Sequence, residues 1–243
     1  MKYALQLYSV RDGIKNGADL LSALGKVRQI GYEGVEFAGV QKLPAETLRE
    51  RLDELGLTCV GAHISLDDFK PRHLEKTLAY YRTLGCQQVG VGGADIFEEK
   101  KLAKALEILE NANREAEKIG MKVYFHNHTH EFAPPAKSDN PAWVIDRLKQ
   151  ACYLQVDTYW SFYAGVDTPA LLRENRDRIC LVHLKDGNDG TPCAIGEGQN
   201  DIAAILKASE EIGMEWVIIE NDDPVPDGLS DVARSLQYLK NHF

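Results

Sequence analysis

Residues 28–37 read RQIGYEGVEF, residues 53–63 DELGLTCVGAH, residues 82–92 RTLGCQQVGVG, residues 117–126 EKIGMKVYFH and residues 210–220 EEIGMEWVIIE. Each copy is one unit: a helical stretch runs into a Gly, and a few residues later an apolar, β-branched run begins. Gly31, Gly56, Gly85, Gly120 and Gly213 are expected in the left-handed conformation that closes a helix, where a Cβ is costly. The unit therefore reads helix, cap, strand.

Between the copies lie ADLLSALGKVRQI (18–30), PAETLRERLDEL (44–55) and KKLAKALEILENANREAEKI (100–119), with apolar residues at three- and four-residue spacings. Pro44, Pro71 and Pro141 stand where a first helical turn tolerates them. CYLQVD (152–157) and ICLVHLKD (179–186) add two strands without the Gly cap, and MKYALQLYS opens the chain with another, which brings the total to eight. Strict alternation of strand and helix favours parallel neighbours, because a helical crossover must return the chain. Eight such units predict a closed (β/α)8 TIM barrel, an α/β fold that typically takes roughly 250 residues, here as a single domain over 1–243. An open doubly wound sheet is the alternative, but it calls for a Gly-rich phosphate loop after the first strand, where this chain has Tyr8, Ser9, Val10 and Arg11.

The chain carries 44% hydrophobic and 27% charged residues, which suits a globular protein with a substantial core. A net charge of −9 and the lack of a Lys/Arg cluster argue against nucleic acid as a partner. No run approaches the length of a membrane span, and MKYALQLYSVRD lacks a secretory h-region and cleavage site, so a cytoplasmic location is expected. Homo-oligomerisation stays open. The five cysteines, Cys59, Cys86, Cys152, Cys180 and Cys193, are odd in number and scattered, and read as unpaired fillers.

Side chains alternate along a strand, so parity near each C-terminal end assigns faces. The inward polar set is Gln6, Glu36, His63, His126 with His128, Asp157, His183 with Lys185, and Glu220. Buried ionised carboxylates are expensive unless paired or bound to metal. Asp157, His183 and Glu220 are accordingly expected to share one divalent ion. Mixed carboxylate and imidazole donors favour Mn²⁺, with Co²⁺, Zn²⁺ or Mg²⁺ as alternatives. His63, His128, Glu36, Gln6 and Trp160 are candidate substrate contacts, and Tyr8 and Phe132 are further candidate walls. The segment GEGQND (196–201) reads either as a lid or as the start of a helix capped by Asp201.

GYEGVEF, GAHIS, YFHNHTHEF, QVDTYW, VHLKDG, GEGQNDI and IIEND, in this order, resemble the xylose isomerase-like TIM barrels grouped as sugar phosphate isomerases/epimerases. The resemblance covers essentially the whole chain. It implies a metal set of Glu, Asp, His and Glu on strands five to eight. The last three match Asp157, His183 and Glu220, whereas His126 stands in the strand-five position, so that His126 or Glu131 is the expected fourth ligand. The implied chemistry is Lewis-acid catalysis on a keto sugar or polyol through an enediolate, with Glu220 as general base and His126, His128 and Lys185 as candidate acids. An isomerase or epimerase leads. A dehydratase acting on a keto-inositol or 3-keto sugar is the close variant, and a metal-free sugar-binding barrel is the third reading. The related DNA-repair endonucleases need further metal ligands and a basic groove that this chain lacks.

Overall fold

A computed structural model describing residues 1–243 consists of eight parallel strands closed into a ring. They are β1 (Lys2–Gln6), β2 (Gly34–Ala38), β3 (Thr58–Ile64), β4 (Gln88–Val91), β5 (Lys122–His126), β6 (Tyr153–Asp157), β7 (Ile179–Leu184) and β8 (Trp216–Ile219). Closure comes from β1, where Leu5 is in register with Val35 of β2 and with Ile219 of β8. The (β/α)8 TIM barrel expected from the repeat is the fold observed. A short antiparallel hairpin, Asp186–Asn188 with Thr191–Cys193, is added after β7 and had no sequence signal in the repeat.

The outer layer contains α1 (Gly17–Ile30), α2 (Ala45–Leu55), α3 (Pro71–Leu84), α4 (Glu99–Glu117), α5 (Val144–Ala151), α6 (Thr158–Tyr163), α7 (Thr168–Glu174), α8 (Ile202–Glu211) and α9 (Gly228–His242). Gly85 illustrates the cap. At φ +83° its N–H reaches the carbonyls of Tyr81 and Arg82, which would otherwise lack partners at the helix end. Gly31, Gly56, Gly120 and Gly213 also have positive φ, although at Gly120 and Gly213 the helix has already ended in a turn. Pro71 begins α3 as expected, whereas Pro44 precedes α2 by one residue and Pro141 lies in the segment before α5. No helix is long and apolar enough to cross a membrane. All five cysteines are unpaired, four of them buried.

Outward strand residues such as Val35, Phe37, Val91, Val123, Phe125 and Val182 join the helices in one large apolar cluster. The barrel interior divides in two. Its lower half is a separate plug of Ala4, Val60, Tyr124, Cys180, Leu181 and Ile218. Tyr124 lies across the wall beside Gly90, where a Cβ would stand 2.1 Å from its ring, so only glycine admits the ring there. Two register shifts, at Val35/Glu36 against β3 and at Leu154/Gln155 against β7, give β3 and β7 an extra residue each. The shifts bring His63 and His183 to the inner face at the C-terminal mouth.

Candidate functional site

The upper half of the interior is polar and starts from Glu36. This fully buried carboxylate accepts hydrogen bonds from Gln6 Nε2 (2.6 Å), Tyr124 Oη (2.5 Å), Gln155 Nε2 (2.6 Å) and His183 Nε2 (2.5 Å). Burial alone would push its pKa up, but the facing His63 and His183, with hydrogen bonds from His183 and Tyr124, hold it at about 2. His183 also contacts Glu220 Oε2 through Nδ1 at 2.8 Å. Burial disfavours its charge, yet Glu36 and Glu220 on either side raise its pKa to about 10.

His126 is treated oppositely. Burial and the neighbouring His183 hold it well below the usual imidazole range, so it is neutral. The side-chain oxygen of Gln155 faces His63 Nε2 at 2.6 Å and His126 Nδ1 at 3.1 Å. An amide oxygen only accepts, so His126 carries its proton on Nδ1 and keeps a lone pair on Nε2, 3.8 Å from Asp157 Oδ2.

Lys185, also fully buried, places Nζ 2.7 Å from Asp222 Oδ2, 2.8 Å from Glu220 Oε2 and 2.9 Å from Asp157 Oδ2. Burial opposes its charge, but Asp157, Glu220 and Asp222 more than offset this and raise its pKa. The same neighbours, Lys185 and His183, overcome burial at Glu220 and keep it ionised. Asp157 is anchored through its other oxygen, which accepts the N–H groups of Tyr159 and Trp160 at the start of α6 (3.0 and 2.9 Å), while Asn127 Oδ1 accepts the Asp157 N–H at 3.0 Å. Oδ2 has no aligned donor despite complete burial.

One donor atom each from His126, Asp157, His183 and Glu220 lies within 4.8 Å of the others, and all four residues are buried. Two carboxylates and two imidazoles form a donor set suited to a divalent ion, with a lone pair already free on His126 Nε2; binding would release the His183 proton and displace Lys185 Nζ from Asp157 Oδ2. Above it opens a cavity of about 680 Å³, lined among others by Tyr8, His63, Asp68, His126, His128, Glu220 and Asp222.

Residues 24–242 match the family described as "Xylose isomerase-like TIM barrel". The chain belongs to that family. It is 26% identical over 192 residues to an inosose dehydratase of Geobacillus kaustophilus (strain HTA426), an alignment that takes in 67% of this chain. The chain spans about 60% of the length of that curated relative. A sugar phosphate isomerase/epimerase from Parabacteroides distasonis ATCC 8503 superposes with a TM-score of 0.82 at 20% identity, covering 99% of this chain and 94% of the other. An L-ribulose 3-epimerase superposes with a TM-score of 0.75 at 15% identity, over 99% and 94% of the two chains.

In this xylose isomerase-like barrel, the residues expected at the site are not all brought to one place. Asp157, His183, Glu220 and His126 converge in one buried cluster. His63 and His128 line the cavity. Gln6 and Glu36, expected to touch substrate, lie beneath the histidines with no exposed surface, and Lys185 is likewise enclosed. Trp160 flanks Lys185, whose Nζ is 5.6 Å from its ring centre, and Phe132 is buried against Trp143. Glu131 does not join His126; it stands with His128 and His130 in a separate cluster.

Sequence reasoning passed over Gln155, Tyr124, Asp222 and Asp186. Gln155 and Tyr124 had a usable signal, since each precedes an inward site residue by two positions on its strand. Asp222 lies beyond β8, where parity ends. Asp186 accepts the N–H groups of Gly187, Gly196, Gly198 and Asn200. It thereby pins the GEGQND segment, and Asp201 caps α8 through Ala204 N–H, as the helix-start reading expected.

Proposed function

We propose that this protein is a divalent-metal-dependent enzyme that abstracts a proton next to the carbonyl of a keto sugar or keto polyol. The observation carrying the reading is the position of Glu220, which belongs to the four-donor cluster and also borders the cavity. Mn²⁺ is the preferred ion. When bound, the ion supplies Lewis-acid charge that acidifies the carbon acid and stabilises the enediolate. Glu220 is ionised and ready to accept the proton. Its pairing with Lys185 and His183 makes it a weak base, which is sufficient only for an acidified carbon.

His126, neutral and facing the cavity, would hold the ion through its Nε2 lone pair, with Gln155 setting its tautomer. Lys185 is assigned to holding Asp157, Glu220 and Asp222 together, because three carboxylates keep its proton in place. His63, His128 and Tyr8 are positioned to bind hydroxyl groups. The cavity-lining set contains no Lys or Arg, which favours an uncharged substrate over a sugar phosphate.

Two fates are open to the enediolate. Return of the proton gives isomerisation or epimerisation. Loss of a neighbouring hydroxyl gives dehydration, a reading supported by the inosose dehydratase relatives and by His126 in the strand-five position. Incubation of Mn²⁺-loaded protein with a panel of free ketoses and keto-inositols tests both. Mass conserved with changed stereochemistry identifies an isomerase or epimerase, and loss of one water identifies a dehydratase. No turnover on any uncharged substrate, with turnover of a ketose phosphate, would refute the substrate reading.

A further inference from the structure

The second cluster, His128, His130 and Glu131, has no part in the chemistry above beyond the contact of His128 with the cavity. The segment Thr129–Phe132 is a single 3-10 turn directly after β5. Tight winding of this kind brings residues three apart onto one side, and so sets Glu131 beside His128. One oxygen of Glu131 is committed to that turn, since Oε2 accepts the His128 N–H at 2.8 Å. His130 is fixed from the other side by Phe97, edge-on at 4.2 Å between ring centres, and its ring runs parallel to His128 at 5.7 Å.

The remaining oxygen, Glu131 Oε1, carries the argument. Glu131 has no exposed surface, and Oε1 has no hydrogen-bond partner. Its neighbour at 2.7 Å is His130 Nε2, yet the two are not aligned to share a proton. A simple ion pair would gain from that alignment and has room for it, because His130 is 40% exposed. Two donor atoms this close without an aligned hydrogen bond suit a shared cation. His128 supplies a further nitrogen, and the three donor atoms lie within 4.8 Å of one another.

We infer that His128, His130 and Glu131 form a second divalent transition-metal site, separate from the one holding Asp157 and Glu220. Two imidazoles and one carboxylate are a donor set that holds Zn²⁺ while leaving a coordination position open. The partial exposure of His130 gives the ion a route in from solvent. Hard ions such as Ca²⁺ are disfavoured by the two nitrogen donors.

Zinc content after equilibrium dialysis against Zn²⁺ alone tests the site, without any use of activity. Wild type is expected to hold two ions per chain, and His130→Ala and Glu131→Gln one each, with affinity for the lost ion down at least about tenfold. Glu131→Gln keeps an oxygen for the His128 N–H, and His130 is partly exposed, so both variants are expected to fold. Glu220→Gln and Asp157→Asn are expected to lose the other ion and keep this one. A wild-type count unchanged in both His130→Ala and Glu131→Gln overturns the second site, whatever happens at the first. A single wild-type ion that survives Glu220→Gln but not His130→Ala upholds the second site and refutes the first.

Discussion

The lower and upper halves of the barrel interior are equally buried and are built from the same eight strands, yet they obey different rules. The lower plug, Ala4, Val60, Tyr124, Cys180, Leu181 and Ile218, only has to fill space, and Gly90 shows how closely it does so. The upper half holds Glu36, Asp157, Glu220, His183 and Lys185 at 4% exposure or less. There every group has to be balanced in charge or supplied with a partner. Shape is therefore the sensitive quantity below, and charge above. Tyr124 belongs to both halves, with its ring in the plug and its hydroxyl on Glu36.

The sharpest way to break this contrast is Glu220→Gln, which keeps volume and removes charge. Turnover is expected to fall by about a hundred- to ten-thousand-fold, the range for loss of a general base, with the far-UV spectrum unchanged. Wild-type turnover in this variant would move the proton to another residue. Gly90→Ala is the converse change, adding volume without charge. It is expected to destabilise the fold by about 1–3 kcal/mol, read from urea unfolding, because the new methyl meets the Tyr124 ring. Activity per folded molecule should fall far less than in Glu220→Gln, because the displaced Tyr124 touches Glu36 and not the cavity.

His126→Ala sharpens the account of the upper half. Affinity for Mn²⁺ is expected to fall by about 10- to 100-fold or more, measured by titration, as a direct donor is lost. Under the two-site reading, Glu131→Ala leaves that Mn²⁺ affinity near wild type. Loss of Mn²⁺ affinity in Glu131→Ala alone would instead make Glu131 the strand-five ligand.

The smallest effect belongs to a charge outside the barrel. Glu99, at the start of α4, accepts two hydrogen bonds from Arg147 of α5 and one from Ser138, which together hold it at about 2 against an ordinary 4.5. The depressed value means that the contribution is present above pH 4.5 and is lost as pH falls through about 2. Being partly exposed, the pair is worth at most about 1 kcal/mol. The stability gap between wild type and Arg147→Met should thus be small at pH 7 and close by pH 2, and a gap unchanged over that range would assign it to packing.

The barrel, the positions of its strands and most of the buried His/Asp/Glu cluster were legible in the amino-acid order. Glycine after a helix, β-branched runs and period-two alternation are local signals, and they carry Asp157, His183, His126 and Glu220 to one end by parity alone. Counting back from the C-terminal ends of the strands mattered, because the extra residues in β3 and β7 reverse the faces of everything before them.

Tertiary structure decided how deep each polar group lies and which partner it meets. Gln6 and Glu36 share the inward face with His63, but barrel closure puts them a layer lower, out of reach of the cavity. Lys185 meets Asp222 across the gap between β7 and β8, a contact 37 residues apart in the chain that no local pattern encodes. Gln155 orients His126, because β6 lies in register beside β5, and the 3-10 turn after β5 carries Glu131, the alternative fourth ligand, into another cluster. Periodicity assigns a side chain to a face. Its partners, and with them its charge and proton position, depend on strands that meet only when the ring closes.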